Sequence, residues 1–174
     1  MTSPRGPAFT DRVALPEPSI GLLVLLARHG IRDVVGPRAG RHRLTVQQFW
    51  ALYWLLHQPG LAPGELAAAM LLDPPAGSRL VSELAKRKLV EARPDRADRR
   101  RARLFLSEKG EPLARRVAED AARYHAESLR GMEPAEVEAL RSGLRKLIDN
   151  LAELAGAPAQ PAAARRNGRG ARAG

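Results

Sequence analysis

The sequence predicts a mainly α-helical chain in which one short β-hairpin interrupts a run of six helices. Three observations carry that prediction. Apolar residues recur at spacings of three and four along most of the chain, the period of a helix with one buried face. Hydrophobic residues make up 44% of the sequence but aromatics only 4%, so the core is built from Leu, Val and Ala, which favours helices over sheets. The exception is the stretch 86–106, KRKLVEARPDRADRRRARLFL, where Leu89 with Val90 and Leu104 with Phe105 and Leu106 flank a charged centre. Pro94 and Asp95 offer a turn between them, the pattern of a two-stranded ribbon.

Taken in order, residues 1–17 carry three prolines and no periodicity and read as a mobile arm. Pro18 and Ser19 open a first helix, with Ile20, Val24, Ala27, Ile31 and Val34 at helical spacing until Gly36 and Pro37 stop it. Thr45 caps a second helix and Gln48 completes a capping box. This helix continues through Phe49, Leu52, Tyr53 and Leu56 to Pro59 and Gly60. A short third helix covers 63–71. Asp73 as N-cap and Pro74 at the first helical position start a fourth, which runs through Lys86. After the hairpin, Ser107 and Gly110 mark the start of a fifth helix reaching about Arg130, and Pro134 starts a sixth reaching about Leu154. In that last helix Val137, Leu140, Leu144, Leu147, Leu151 and Leu154 form a heptad seam. The seam can take a second copy of the chain or the fifth helix of the same chain, and its place so late in the sequence favours the dimer. Residues 156–174 are a low-complexity tail with Arg165, Arg166, Arg169 and Arg172, expected to be disordered. It serves either as a solubilising tail or as extra attraction for phosphate.

Charge narrows the partner. Positions 86–103 hold nine basic residues against three acids, and the whole chain carries +10 with a pI near 11.2. Such a balance points to a polyanion: DNA, RNA or an acidic membrane surface. No stretch of eighteen continuous apolar residues is present, so no membrane span is expected. No signal peptide is visible, and a cytoplasmic location is expected. Without cysteine there are no disulfides, thiolate metal sites or thiol redox chemistry. His29, His42, His57 and His125 are scattered without metal-ligand spacing. No glycine-rich phosphate loop, nucleophile elbow or paired-carboxylate constellation appears, which argues against an enzyme and against a resident cofactor.

The order helix–helix–turn–helix–ribbon is that of a winged helix-turn-helix, with the fourth helix as the element that enters the major groove of double-stranded DNA. Three strings, LTVQQFWAL, GELAAAMLLDPPAGSRLVSELAKRKLVEARPD and ADRRRARLFLSEKG, resemble the MarR family of bacterial transcription regulators. The likeness runs from Leu44 to about Leu154, roughly two-thirds of the chain. It implies a homodimer formed by the first, fifth and sixth helices and, most often in that family, a ligand-responsive repressor. It also implies site residues. Asp98 and Arg100 match the wing tip, where the family's arginine enters the minor groove and the aspartate orients it. A narrow minor groove concentrates negative potential, and a guanidinium fills it well. Arg99 and Arg101 would reach neighbouring phosphates. On the fourth helix Ser78, Arg79 and Ser82 match groove-facing positions, with Lys86 toward the backbone. Arg79 has an alternative, an ion pair with Glu83 four residues on.

The chain departs from the family pattern at three places. Pro75 and Ala76 stand where hydroxyl residues are usual, which removes two contacts at the helix start. Gly77 replaces a buried aliphatic, at a cost of roughly 1 kcal/mol in helix propensity and with space expected beneath it. Lys88 stands where the turn before the first wing strand usually has glycine, so a strained or altered turn is expected. The resemblance further implies a small aromatic effector. Trp50 and Trp54 lie one turn apart on the second helix with His57 close by, and with His29 or Arg32 could wall a planar ligand; the alternative is that they pack the core. The chain thus divides into an arm (1–17), a dimerisation helix (18–43), a winged DNA-binding lobe (44–106), C-terminal dimerisation helices (107–155) and a basic tail (156–174). A non-specific or architectural DNA-binding protein on the same fold is the alternative function.

Overall fold

The computed structural model describes residues 18–95 and 98–156. Its elements are α1 (Ile20–Arg41), α2 (Val46–His57), α3 (Pro63–Ala69), α4 (Pro74–Lys86), β1 (Val90–Pro94), β2 (Ala102–Leu106), α5 (Gly110–Ser128) and α6 (Pro134–Leu154). The expected N-terminal arm, and the basic tail apart from Gly156, lie outside the described residues.

The helix starts follow the cap residues. The Ser19 hydroxyl accepts from the Leu22 amide, and Thr45 and Gln48 form the reciprocal capping box of α2. Asp73 Oδ1 accepts from the Ala76 amide at 2.6 Å. One boundary differs from expectation: α1 does not stop at Gly36 and Pro37 but runs through them to Arg41. Packing overrides the local signal, because Val35 and Ala39 on either side of the proline are fully buried against the core. The Arg38 guanidinium also donates to the Val34 carbonyl.

Helix ends share a device. At α1, α3 and α4 the residue past the cap is left-handed and not glycine: Arg43 (φ 56°), Leu71 (φ 53°) and Lys88 (φ 57°). Each donates to the carbonyl three residues back, and the following leucine (Leu44, Leu72, Leu89) donates to the carbonyl five back, which is the Schellman pattern. Leu44 and Leu89 are buried, so their burial offsets the left-handed strain. The altered turn expected at Lys88 is this one.

The core gathers around α2. Phe49, Leu52 and Leu55 meet Val35 of α1, Leu66 of α3, Leu84 of α4, Leu104 of β2 and Val117 of α5, all essentially inaccessible to solvent. The two strands pair antiparallel with Val90 opposite Leu106 and Pro94 opposite Ala102. β1 therefore runs through Pro94, and the turn begins at Asp95, one residue later than the sequence suggested. Leu61 bridges the other side of β2 at Leu104, which leaves β1 as the outer strand, where a residue without an N–H is tolerated.

Outside this lobe the helices are thinly covered. No residue of α6 is buried. Leu140, Leu144, Ile148, Leu151 and Leu154 of α6 and Ile20, Leu23, Val24, Leu25, Ile31 and Val34 of α1 are exposed. Two polar contacts tie α1 and its C-cap to α5: His42 Nε2 lies 2.7 Å from Asp120 Oδ2, whose other oxygen accepts from Arg123 of the same helix, and Arg38 pairs with Glu127.

Candidate nucleic-acid interface

α4 is set by what lies beneath it. Gly77, Leu80 and Leu84 form its buried face. At Gly77 a Cβ would come within 2.5 Å of Ala67 Cβ, so α3 and α4 touch there with no room for a side chain. The space expected under Gly77 does not exist; the glycine is what lets the two helices meet. On the solvent side Ser78, Arg79, Ser82 and Lys86 are all exposed, so the four groove-facing positions drawn from the resemblance stand in water.

The tilt of α4 has a second support that sequence reasoning missed. Gln48, nearly buried, donates through Nε2 to Glu83 at 3.0 Å and accepts from Arg87 Nη1 at 2.8 Å through the oxygen that also caps the Thr45 amide. One glutamine thus joins the start of α2 to two successive turns of α4. The signal for it in the sequence was a glutamine at a capping-box position directly before the core run. Glu83 is engaged by Gln48, and among the described residues no ion pair joins Arg79 to Glu83, which leaves the Arg79 guanidinium open to solvent.

The wing sorts its charges. Of the basic residues in 86–103, Arg87 is bound to Gln48, Arg93 pairs with Glu91 and lies over the Phe105 ring at 4.8 Å, and Arg101 pairs with Asp98 at 3.4 Å. Arg103 pairs with Asp95 and Glu65. Arg93 and Arg103 face each other across the hairpin, a repulsive placement that these acids relieve. The side chains of Lys86, Lys88, Arg99 and Arg100 make no hydrogen bond or ion pair among the described residues and are exposed. Asp98 accepts from the Arg100 amide at 3.1 Å, so it shapes the backbone of the tip while its other oxygen holds the Arg101 side chain. The base of the wing is fixed by Ser107, whose hydroxyl donates to the Lys88 carbonyl and accepts from the Gly110 amide. Gly110 itself packs on the Leu89 backbone so closely that any side chain there would collide with it.

The proposed ligand residues fall into two groups, on α2 and on α1. Trp50 and Trp54 are half-buried against the core, Trp50 edge-on to Phe49 and to Tyr53, and the Tyr53 ring lies tilted against His57 with centroids 4.5 Å apart. On α1, His29 bonds the Leu25 carbonyl and Arg32 pairs with Asp33 at 3.6 Å, both in solvent. No hydrogen bond or ring contact joins them to either tryptophan among the described residues. A groove of about 400 Å³ lies elsewhere, between α3 and α4, lined by Pro63, Ala67, Ala68, Leu72, Ser78 and Val81. Three titrating groups of α5 are perturbed, and the hydrogen bond to Asp120 raises Arg123 above its ordinary value. Burial works to raise the Asp120 carboxyl, but hydrogen bonds from Arg123 and His42 outweigh it and hold the group below its ordinary value. Burial raises Tyr124.

Packed helices, a fourth helix with one face open to solvent and a two-stranded ribbon with a cationic tip define a winged-helix fold. Residues 43–101 match the model of the MarR family. The transcriptional regulator SlyA shares the fold at 17% identity and a TM-score of 0.71, over 78% of this chain and 96% of that one. MepR of S. aureus, solved as a DNA complex, follows at 22% and 0.70, over 78% and 99%. MarR of E. coli in its apo form matches at 20% and 0.62, over 76% and 98%. The family likeness thus spans about a third of the chain, residues 43–101, and the likeness to the solved structures is one of fold. No helix among the described residues is long and apolar enough to cross a membrane.

Proposed function

We propose that this protein is a homodimeric DNA-binding transcription regulator, a ligand-responsive repressor reading a pseudo-palindromic operator. α4 enters the major groove and the wing enters the adjacent minor groove. The observation that carries this reading is the sorting of charge in the lobe: four cationic side chains stay open to solvent at the wing and at the end of α4, while their neighbours are held by internal partners. Arg100 fills the minor groove, Arg99 takes a flanking phosphate, and Asp98 and Arg101 brace the tip. Ser78, Arg79 and Ser82 face base edges, where one bidentate arginine–guanine pair is worth about 1–3 kcal/mol of discrimination. Lys86 takes a phosphate. MepR, of the same fold, has been solved bound to DNA, which supports the placement.

The seam Val137, Leu140, Leu144, Leu147, Leu151 and Leu154 is the dimer contact, supported by a helix that buries none of its residues within its own chain. A two-fold dimer requires half-sites about one helical turn apart. A small aromatic effector acts by favouring a dimer whose α4 helices are wrongly spaced, because only differential affinity moves such an equilibrium. Trp50 and Trp54, with His29 and Arg32, are its proposed contacts.

Pro75 and Ala76, which offer no hydroxyl at the start of α4, favour one second reading: a non-specific or architectural DNA-binding protein. Affinity for the DNA beside the protein's own gene, compared with random duplex at several salt concentrations, separates the two. A regulator shows a ratio of at least ~10³ that persists with salt, and pure phosphate binding shows none.

A further inference from the structure

Arg103 belongs by sequence to the basic cluster of the wing, and by structure to none of its open charges. It stands on β2, directly across the hairpin from Arg93. Its Nε donates to Asp95 Oδ2 at 2.6 Å, at the point where β1 gives way to the tip. Its Nη1 donates to the Gly60 carbonyl at 3.2 Å and to Glu65 Oε2 at 3.1 Å. Glu65 also caps α3 by accepting from the Ala62 amide at 2.7 Å. One side chain therefore joins the wing tip, the loop between α2 and α3, and the first turn of α3. Beside it the backbone is stitched in the same direction: Gly60 donates to the Leu104 carbonyl at 2.8 Å and Leu104 to the Leu61 carbonyl at 2.9 Å.

A planar guanidinium with donors on two edges suits this role, since it holds two carboxylates and a carbonyl in fixed directions, which a lysine cannot. An isolated two-stranded ribbon is marginal in water and free to swing. With Arg103 in place the ribbon is referred to α3, and α3 touches α4 at Ala67 and Gly77.

We propose that Arg103 is a positioning residue for nucleic-acid reading: it makes no contact with DNA and fixes the wing's angle to the helix-turn-helix by locking Asp95, Gly60 and Glu65 together. The inference rests on the wing's proposed role at the minor groove.

The test is a binding cycle in the full-length protein on its own operator duplex, with salt titrations of wild type, Arg103→Gln, the Arg99→Ala/Arg100→Ala pair, and the triple variant. A residue acting through the tip loses its effect when the tip is removed. Arg103→Gln alone should weaken binding about tenfold with its salt slope unchanged, and should change nothing in the Arg99→Ala/Arg100→Ala background. A slope lower by about one per subunit, or losses that multiply, would mean that Arg103 holds a phosphate itself and would overturn the proposal. Asp95→Asn repeats the test from the other side of the bond should Arg103→Gln unfold. If wild type binds no duplex, the proposed function falls, and amide exchange decides the lock alone. Gly60 and Leu104 amides exchange faster in Arg103→Gln if the lock exists, and equal rates refute it.

Discussion

The contact between α3 and α4 makes a prediction opposite in sign to the usual rule for glycine in a helix. Replacing a mid-helix glycine by alanine ordinarily stabilises by about 1 kcal/mol. At Gly77 the added Cβ would lie 2.5 Å from Ala67 Cβ. Two carbons in contact sit about 3.5–4.0 Å apart, so the helices must part by roughly 1 Å or more. Alanine has no rotamer with which to yield, and Ala67 is itself buried. Overpacking of this kind costs about 1–3 kcal/mol. Against the propensity gain, Gly77→Ala should lose about 1 kcal/mol net, which for a chain of this length is about 2–4 °C in Tm. Urea unfolding followed by circular dichroism measures it. The same shift moves α4 relative to the wing, so operator affinity should fall as well. In Ala67→Gly/Gly77→Ala the methyl is relocated to the other helix, and stability should return close to wild type, with a coupling of at least about 1 kcal/mol. A Gly77→Ala variant that is more stable than wild type, or a double variant that is merely additive, would refute the close approach.

Other expectations are independent of this one. Lys88→Gly relieves a left-handed residue at the end of α4 and should raise stability by about 1 kcal/mol in the same unfolding assay. In the proposed dimer Leu144→Ala removes an exposed seam residue from both copies, so the dissociation constant from sedimentation equilibrium should rise at least about 30-fold. Asp120→Asn leaves a nearly buried site facing His42 and Arg123 without its carboxylate and should cost about 1–3 kcal/mol. The pH dependence follows from the depressed folded-state value: Asp120 stabilises the fold at pH values above the ordinary carboxylate range. That contribution is lost as pH falls through the folded value, below about pH 4, and the loss should be absent in the asparagine variant.

Most of the fold was legible because its signals are local. Ser19, Thr45 and Asp73 cap where the sequence placed them, the hairpin forms around its apolar runs, and α6 spans the heptad seam from Pro134 to Leu154. What failed depended on neighbours distant in sequence. Pro37 reads as a stop until Val35 and Ala39 are seen packed in the core. Gly77 reads as a void until Ala67 is placed opposite it. The wing's charge was visible as a sum, but which arginines are open was not, because the answer lies with Gln48, Glu65 and Asp95. Trp50 and Trp54 read as a stripe, and the structure packs that stripe on the core without joining it to His29 or Arg32.

The central claim is that the open arginines of the wing grip a minor groove on each side of a two-fold axis. Hydroxyl-radical footprinting of wild type and Arg99→Ala/Arg100→Ala on the DNA beside the gene tests it most directly. Wild type should protect two major-groove segments about one helical turn apart, flanked symmetrically by two minor-groove segments. The variant should lose the flanking pair and keep the inner one. A footprint without dyad symmetry, or flanking protection unchanged in the variant, would contradict the account.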